Sequence, residues 1–113
     1  MAFVGGTLRP YGGHNIVEPA AVGVGVIHGP FVSNCRAEAQ ALAACGGARV
    51  ADERAGLAAA FRELLSDEAA RTRLAGGARA AVARLAGATD RVVGELERRG
   101  LWPPAAARRA GPP

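Results

Sequence analysis

The sequence predicts an α/β fold: a small parallel sheet, equivalent to the second half of a doubly wound domain, followed by helices. Three observations predict it. Three short apolar runs alternate with segments of helical periodicity. Glycine or proline separates most of these segments. The chain beyond the third apolar run carries helical patterns alone, in which apolar residues recur every three or four positions.

The predicted strands are the three apolar runs, over residues 2–6, 23–29 and 48–51. Strands that alternate with helices pair in parallel through right-handed crossovers. Three short strands are few for such a sheet, and no helix precedes the first. We therefore expect the first strand to have a free edge, and the chain to represent part of a larger domain.

Helices are predicted over residues 15–22, 34–45 and 52–65, from Ser66 to a break near Gly87, and from about Thr89 to Arg99. Asn15, Asn34 and Asp52 are the expected N-caps, and Gly46 is the expected stop of the second helix. The apolar faces of the third and fourth helices are predicted to hold Leu57, Phe61, Leu64 and Leu65, and Leu74, Ala78, Val82 and Leu85, respectively.

Composition limits the classes of protein. The 113 residues suffice for one small domain, and aromatic residues make up only 4%. All fourteen basic residues are arginine and the net charge is +4, but the arginines alternate with acids along the helices. That pattern indicates a solvated helix face rather than a nucleic-acid surface. No apolar segment is long enough for a transmembrane helix, and the N-terminal residues lack the basic region and the long apolar region of a signal peptide. Cys35 and Cys45 are expected to be free thiols.

The polar, glycine-rich segment over residues 5–18, GGTLRPYGGHNIVE, is the candidate site. It leaves the first strand at its carboxyl end, where open parallel sheets bind ligands. A helix N-terminus after it favours an anion, and the Glu18 carboxylate suits a pair of hydroxyls. Asn15 and Glu18 therefore fit a nucleotide, with phosphate on N–H groups and ribose on the carboxylate. An N-cap at Asn15 with Glu18 as its capping-box partner explains the same residues without a ligand.

Residues 3–34, which read FVGGTLRPYGGHNIVEPAAVGVGVIHGPFVSN, carry a resemblance. They resemble the C-terminal signature of the 3-deoxy-D-manno-octulosonic acid (Kdo) transferases: F-V-G-G-[ST]-L, then G-G-H-N-x-x-E-P-A, then G-x-P-V-x-x-G-P-H-x-x-N. The similarity is strong from residue 3 to about residue 45 and weaker through the later helices. Gly25 and Phe31 depart from it, since they stand where the family usually has proline and histidine.

The resemblance implies a GT-B glycosyltransferase of lipopolysaccharide biosynthesis, with two Rossmann-like domains. Its donor would be CMP-Kdo, and its acceptor the lipid A precursor at the cytoplasmic face of the inner membrane of Gram-negative bacteria. The sugar would be transferred with inversion, with no metal or other cofactor and no nucleic-acid partner. At matching positions, CMP-Kdo would be bound by Asn15, Ile16, Val17 and Glu18. The loop beside them would be shaped by Gly5, Gly6, Thr7, Gly12, Gly13 and His14.

The same resemblance implies that this chain is a fragment. Residues 1–100 would be part of the C-terminal nucleotide-sugar-binding domain, and residues 101–113 a disordered Pro/Ala/Arg tail. The catalytic glutamate, the acceptor site and the contact with the membrane surface would lie in the N-terminal part of the enzyme. No catalytic residue is therefore expected here, and the chain alone is expected to be inactive. Two alternatives remain open: a fragment of a GT-B transferase that uses a UDP-sugar, and a non-catalytic interaction remnant.

Overall fold

The structure, a computed structural model, describes residues 1–101 and confirms the predicted α/β class. A three-stranded parallel sheet is followed by two longer helices. The elements in chain order are β1 (Ala2–Phe3), α1 (Val17–Ala21), β2 (Val26–His28), a 3-10 turn (Ser33–Cys35), α2 (Arg36–Ala44), β3 (Ala48–Val50), α3 (Arg54–Ser66) and α4 (Glu68–Arg98).

The sheet has the order β1-β2-β3, with Ala2 opposite Val26 and Ile27 opposite Arg49. β1 is thus an edge strand among the described residues, as predicted. All three strands lie where the sequence predicts them but are shorter. Before β2, for example, the N–H groups of Gly23 and Val24 donate to carbonyls within α1, so these residues do not pair with a neighbouring strand.

Side chains alternate between the two faces of the sheet, so the core has two clusters. Val26 faces α1 and α2, where it packs with Ile16, Ala20 and Leu42. Its neighbour Ile27 faces α3 on the other side. There it packs with the cluster of Ala51, Ala60, Leu64, Ala70 and Leu74.

Helix α4 crosses the amino ends of the strands and contributes to both clusters, with Leu74 in one and Ala78 in the other. Glycines permit its close approach. A Cβ at Gly25, just before β2, would lie 2.7 Å from the Leu74 side chain, and one at Gly47, just before β3, would lie 2.4 Å from the Ala78 nitrogen. Because α4 covers the amino ends of the strands, a site at the strand ends can form only from the loops at their carboxyl ends, which are called the carboxyl edge of the sheet.

The helices differ from the sequence prediction in one break and in their N-caps. α4 is continuous, so the predicted break at Gly87 is wrong. A glycine inside a helix costs only about 1 kcal/mol, which its helix-favouring neighbours offset. The three predicted caps, Asn15, Asn34 and Asp52, are also displaced. Ile16, Cys35 and Glu53 occupy the N-cap positions without side-chain capping bonds, although the Asn15 side chain, one residue earlier, still accepts from the Val17 N–H.

The predicted apolar face of α3 is right except for Leu65, which is 67% exposed, while Ala60 is buried instead. On α4, Leu74 and Ala78 are buried as predicted, and Ala81 joins them. α2 stops as predicted at Gly46, which has a φ of +67°.

Both cysteines are free thiols, as predicted. Within residues 1–101, no helix combines the length and the apolar character needed to cross a bilayer. The tail predicted over residues 101–113 lies outside the described residues, apart from Leu101.

Candidate functional site

The loop that leaves β1 folds back on itself and against the loop that leaves β2. Gly12 and Gly13 have φ values of +90° and +83°, a region that favours glycine. Space is also short at Gly12, because a Cβ there would lie 2.4 Å from the side-chain amide of Asn34. The Asn34 N–H donates to the Gly12 carbonyl at 3.0 Å. The glycine pair therefore lets the two loops touch.

The other predicted loop-shaping residues lie at the start of the same loop. Gly5 and Gly6 follow the last core residue after β1, and Gly6 has a φ of +71°. The Gly5 carbonyl accepts a hydrogen bond from the backbone N–H of His14, at 3.3 Å. Thr7 is completely buried. His14, at the other end of the loop, is exposed and begins the segment that leads into α1.

Asn15 and Glu18 lie together on the surface at the start of α1. The Asn15 Oδ1 accepts from the Val17 N–H at 2.9 Å, and its Nδ2 lies 3.4 Å from Glu18 Oε1. The Glu18 carboxylate thus faces the amide of Asn15, and no capping-box bond to the backbone forms. Both side chains remain exposed to a ligand.

Ile16 and Val17 have a different environment. Ile16 is completely buried in the cluster below α1, and Val17 is half-buried. Their side chains pack on the core and hold this segment in place. A ligand bound here would therefore contact the flanking residues Asn15 and Glu18. The apolar pair therefore positions Asn15 and Glu18.

A cavity of about 340 Å³ opens beside Asn15. Gly13 and His14 form one side of it. The other side comes from the 3-10 turn and α2, through Asn34, Cys35 and Glu38. The sequence analysis did not assign these last three residues to the site. The family motif contains the asparagine, and the spacing of Asn34 and Glu38 places both on one face of a helix.

Cys35 lies in the buried wall of this cavity. Its thiol is 3.7 Å from the His14 carbonyl, a weak hydrogen bond in which sulfur is the donor. Burial raises the pKa of the Cys35 thiol, the Glu38 carboxylate raises it further, and a hydrogen bond with the backbone of Ile16 opposes both. A thiol in this state is a weak nucleophile, so Cys35 serves as part of the wall.

The charges around the cavity favour hydroxyl groups over phosphate. Glu38 lines the cavity and Glu18 lies next to Asn15, outside its lining. Their carboxylate oxygens accept hydrogen bonds from hydroxyls and repel anions. α1 has only five residues, and the Val17 N–H already has a partner in Asn15. Its N-terminus thus offers an anion less than the sequence analysis expected. No three of the His, Cys, Asp and Glu residues among positions 1–101 are placed to hold a metal ion together.

Comparison with known proteins confirms the resemblance noted in the sequence. No family model matches the chain. Over 98 residues, however, the chain is 40% identical to the 3-deoxy-D-manno-octulosonic acid transferase of Bordetella pertussis. The similarity covers 86% of this chain, which spans only 23% of the relative's length.

Proposed function

Since the chain is a homologue of a Kdo transferase over most of its length, we propose that it is the donor-binding part of a glycosyltransferase of this kind. The complete enzyme would transfer Kdo from CMP-Kdo to the lipid A precursor in lipopolysaccharide biosynthesis. The identity of 40% over 98 residues is the observation that carries the proposal. The parallel sheet, with its polar cavity at the carboxyl edge, supports it because nucleotides bind at that edge in such folds.

In this proposal Asn15 and Glu18 contact the donor. The Glu18 carboxylate accepts hydrogen bonds from ribose hydroxyls, and the Asn15 amide, 3.4 Å away, holds that carboxylate in place. Ile16 and Val17 contribute by anchoring the segment to the core. The glycine loop brings backbone groups close to the ligand, and Glu38 adds a carboxylate from the wall of the cavity beside Asn15.

The chain supplies no catalytic residue in this proposal. Glu18 is assigned to the donor, and the general base and acceptor site are expected in the rest of the enzyme. A positioned base contributes on the order of 10²–10⁴-fold in rate. We therefore expect the purified 113-residue chain to transfer no Kdo, and turnover of lipid A precursor by this chain alone would contradict the assignment.

The donor site is tested by titrating CMP, CMP-Kdo and UDP into the chain and into the Glu18→Gln variant. CMP ligands are expected to bind in preference to UDP. Glu18→Gln keeps the shape of the side chain but loses its charge. It should weaken CMP binding by roughly ten- to a hundred-fold, as expected for a charged hydrogen bond worth about 1.5–3 kcal/mol.

Asp90→Asn is the matched control, because it also removes one carboxylate but lies on α4, outside the site. Its affinity for CMP should equal that of the wild type. Melting temperatures measured in parallel separate binding from folding. If Glu18→Gln only lowered the melting temperature and left CMP affinity unchanged, the residue would have a structural role. Preference for UDP would favour the UDP-sugar alternative.

A further inference from the structure

A second cavity, of about 310 Å³, lies on the other side of the 3-10 turn. It is a groove between α2 and the carboxyl ends of β2 and β3. Most of its walls are apolar and come from Pro30, Val32, Ala39, Ala43 and Val50, and the Gln40 amide also lines it. Val50 is 54% exposed although it ends a strand of the core sheet. The groove thus presents apolar surface to solvent at the edge of the sheet where ligands bind.

His28, which ends β2, lies in this groove and is only 3% exposed. Its Nδ1 lies 2.6 Å from the Gly29 carbonyl, and a carbonyl can only accept, so Nδ1 carries the proton. In the neutral imidazole Nε2 then has a free lone pair, and it has no partner among residues 1–101. No fully buried polar side-chain atom in that range lacks a partner, so Nε2 must remain accessible. A nearly buried acceptor is therefore open to a ligand in the groove.

Arg36, the first residue of α2, supplies a positive charge to the same groove. The structure gives it no ion pair within residues 1–101. It also lines an adjacent cavity of about 330 Å³, which shares Pro30 and Val32 with the first. Ala39 and Ala43 follow it at helical spacing on the same face of α2. A cation, a hydrogen-bond acceptor and an aliphatic surface are thus combined in one groove.

We propose that this groove binds an aliphatic phosphate monoester. The phosphate oxygens accept hydrogen bonds from Arg36, and the phosphate hydroxyl donates to His28 Nε2. The alkyl chain lies against the apolar walls. A carboxylate would satisfy Arg36 but has no hydrogen for Nε2, and an alcohol would satisfy Nε2 but not Arg36. This site is separate from the donor cavity and does not rest on the function proposed above.

The test is a titration of the 113-residue chain at pH 6.5, followed by NMR of the methyl groups of the groove and of the His28 imidazole nitrogens. Octyl phosphate, octanoate, octanol and inorganic phosphate are the probes, each below the concentration at which it forms micelles. Octyl phosphate should saturate the groove and shift the Nε2 resonance. It should bind about tenfold or more tightly than octanoate or octanol, as expected when one charged hydrogen bond is lost.

Inorganic phosphate distinguishes a lipid-like ligand from a free anion. We expect it not to saturate over the same range, because it has no chain to bury. Equal binding of inorganic phosphate and octyl phosphate would overturn the proposed role of the chain. Equal binding of octanol and octyl phosphate would overturn the role of the charge.

Two pairs of exposed positions supply variants and controls. Arg36→Gln should weaken octyl phosphate binding about fivefold or more, whereas Arg62→Gln, which removes the same charge from α3, should not. Ala43→Trp should block the groove, whereas Ala44→Trp, on the neighbouring position outside it, should not. If Arg36→Gln matched Arg62→Gln, or Ala43→Trp matched Ala44→Trp, the proposal would be wrong.

Discussion

The hydroxyl of Thr7 accepts a hydrogen bond from the backbone N–H of Gly29, at 2.8 Å, and so joins two loops that lie 22 positions apart. The same hydroxyl donates to the Val4 carbonyl at 2.7 Å. A Cβ on Gly29 would lie only 2.1 Å from the Thr7 carbonyl oxygen. This buried contact connects the exit of β1 with the exit of β2, and both cavities at the carboxyl edge lie beside these two loops.

Thr7→Val should destabilise the protein. Valine has nearly the shape of threonine but leaves the buried Gly29 N–H without its partner, at a cost of about 1–3 kcal/mol. The free energy of unfolding, measured with denaturant, checks this. Thr7→Ser is the control, since it keeps the hydroxyl and loses one methyl group worth about 1 kcal/mol. A valine variant as stable as the wild type would contradict the importance of the contact.

Two consecutive glycines in α4 should respond in opposite ways to alanine. A Cβ on Gly77 would lie 2.3 Å from the Cys45 carbonyl oxygen, so Gly77→Ala forces α4 away from the sheet. We expect a loss of about 1–3 kcal/mol, as for overpacking of a core.

Nothing lies within 4 Å of a Cβ on Gly76, so Gly76→Ala should gain about 0.5–1 kcal/mol of helix stability. The free energies of unfolding of the two variants measure the difference. Equal effects would mean that α4 does not lie as close to the Cys45–Gly46 backbone as the structure places it.

The two thiols should differ in reactivity. Cys35 is buried and its pKa is raised by burial and by Glu38, so its thiolate is scarce and poorly accessible. Cys45 is only half-buried. With limited iodoacetamide at pH 8, peptide mass spectrometry should show Cys45 modified at least about tenfold faster. The difference should vanish in denaturant. Faster reaction of Cys35 in the folded protein would contradict its place in the wall.

Acid should destabilise the C-terminal end of α4. Hydrogen bonds from Arg98 and then Arg99 hold the pKa of Glu95 below its ordinary value of 4.5. A carboxylate with a lowered pKa contributes stability above its unfolded pKa and loses it as pH falls through the folded value. The helical chemical shifts of residues 91–98 should therefore decrease on acidification below about pH 4.

Glu95→Gln should show the weakened helix end at neutral pH and remove most of the acid response. Asp90→Asn, which lies on the same helix without such bonds, should retain the response. An acid response that persisted unchanged in Glu95→Gln would assign it to other groups.

Local signals predicted most of the secondary structure. Glycines and short apolar runs marked all three strands, and the loop after β1 follows from the glycines within it. The break at Gly87 was predicted because a glycine often ends a helix, but nothing after it competes with continued helix. The N-cap at Asn34 failed for another reason: its side-chain amide faces the glycine loop and donates to the Gly13 carbonyl, 21 positions earlier, instead of capping α2.

The sequence predicted only some of the residues of the candidate site. Asn15 and Glu18 belong to one local motif, so pattern and resemblance both pointed to them. Glu38 and Cys35 line the cavity beside Asn15 because β1 and β2 are neighbours and the loops that leave them meet. Such contacts depend on the topology of the sheet, which no local pattern specifies. Thr7 was expected to shape its loop, but its bond to Gly29 could not be read from residues so distant in sequence.

The position of α4 has a consequence for folding. One helix supplies Leu74 to one face of the sheet and Ala78 to the other, and the adjacent residues Ile27 and Val26 point to the same two faces. Neither face can open without disturbing the element that seals its neighbour. The two clusters should thus form and dissolve as a single cooperative unit, although each is small. Because one helix is shared by the two clusters, neither cluster has to be stable by itself. This sharing favours the stability of a chain that has so few aromatic residues for its core.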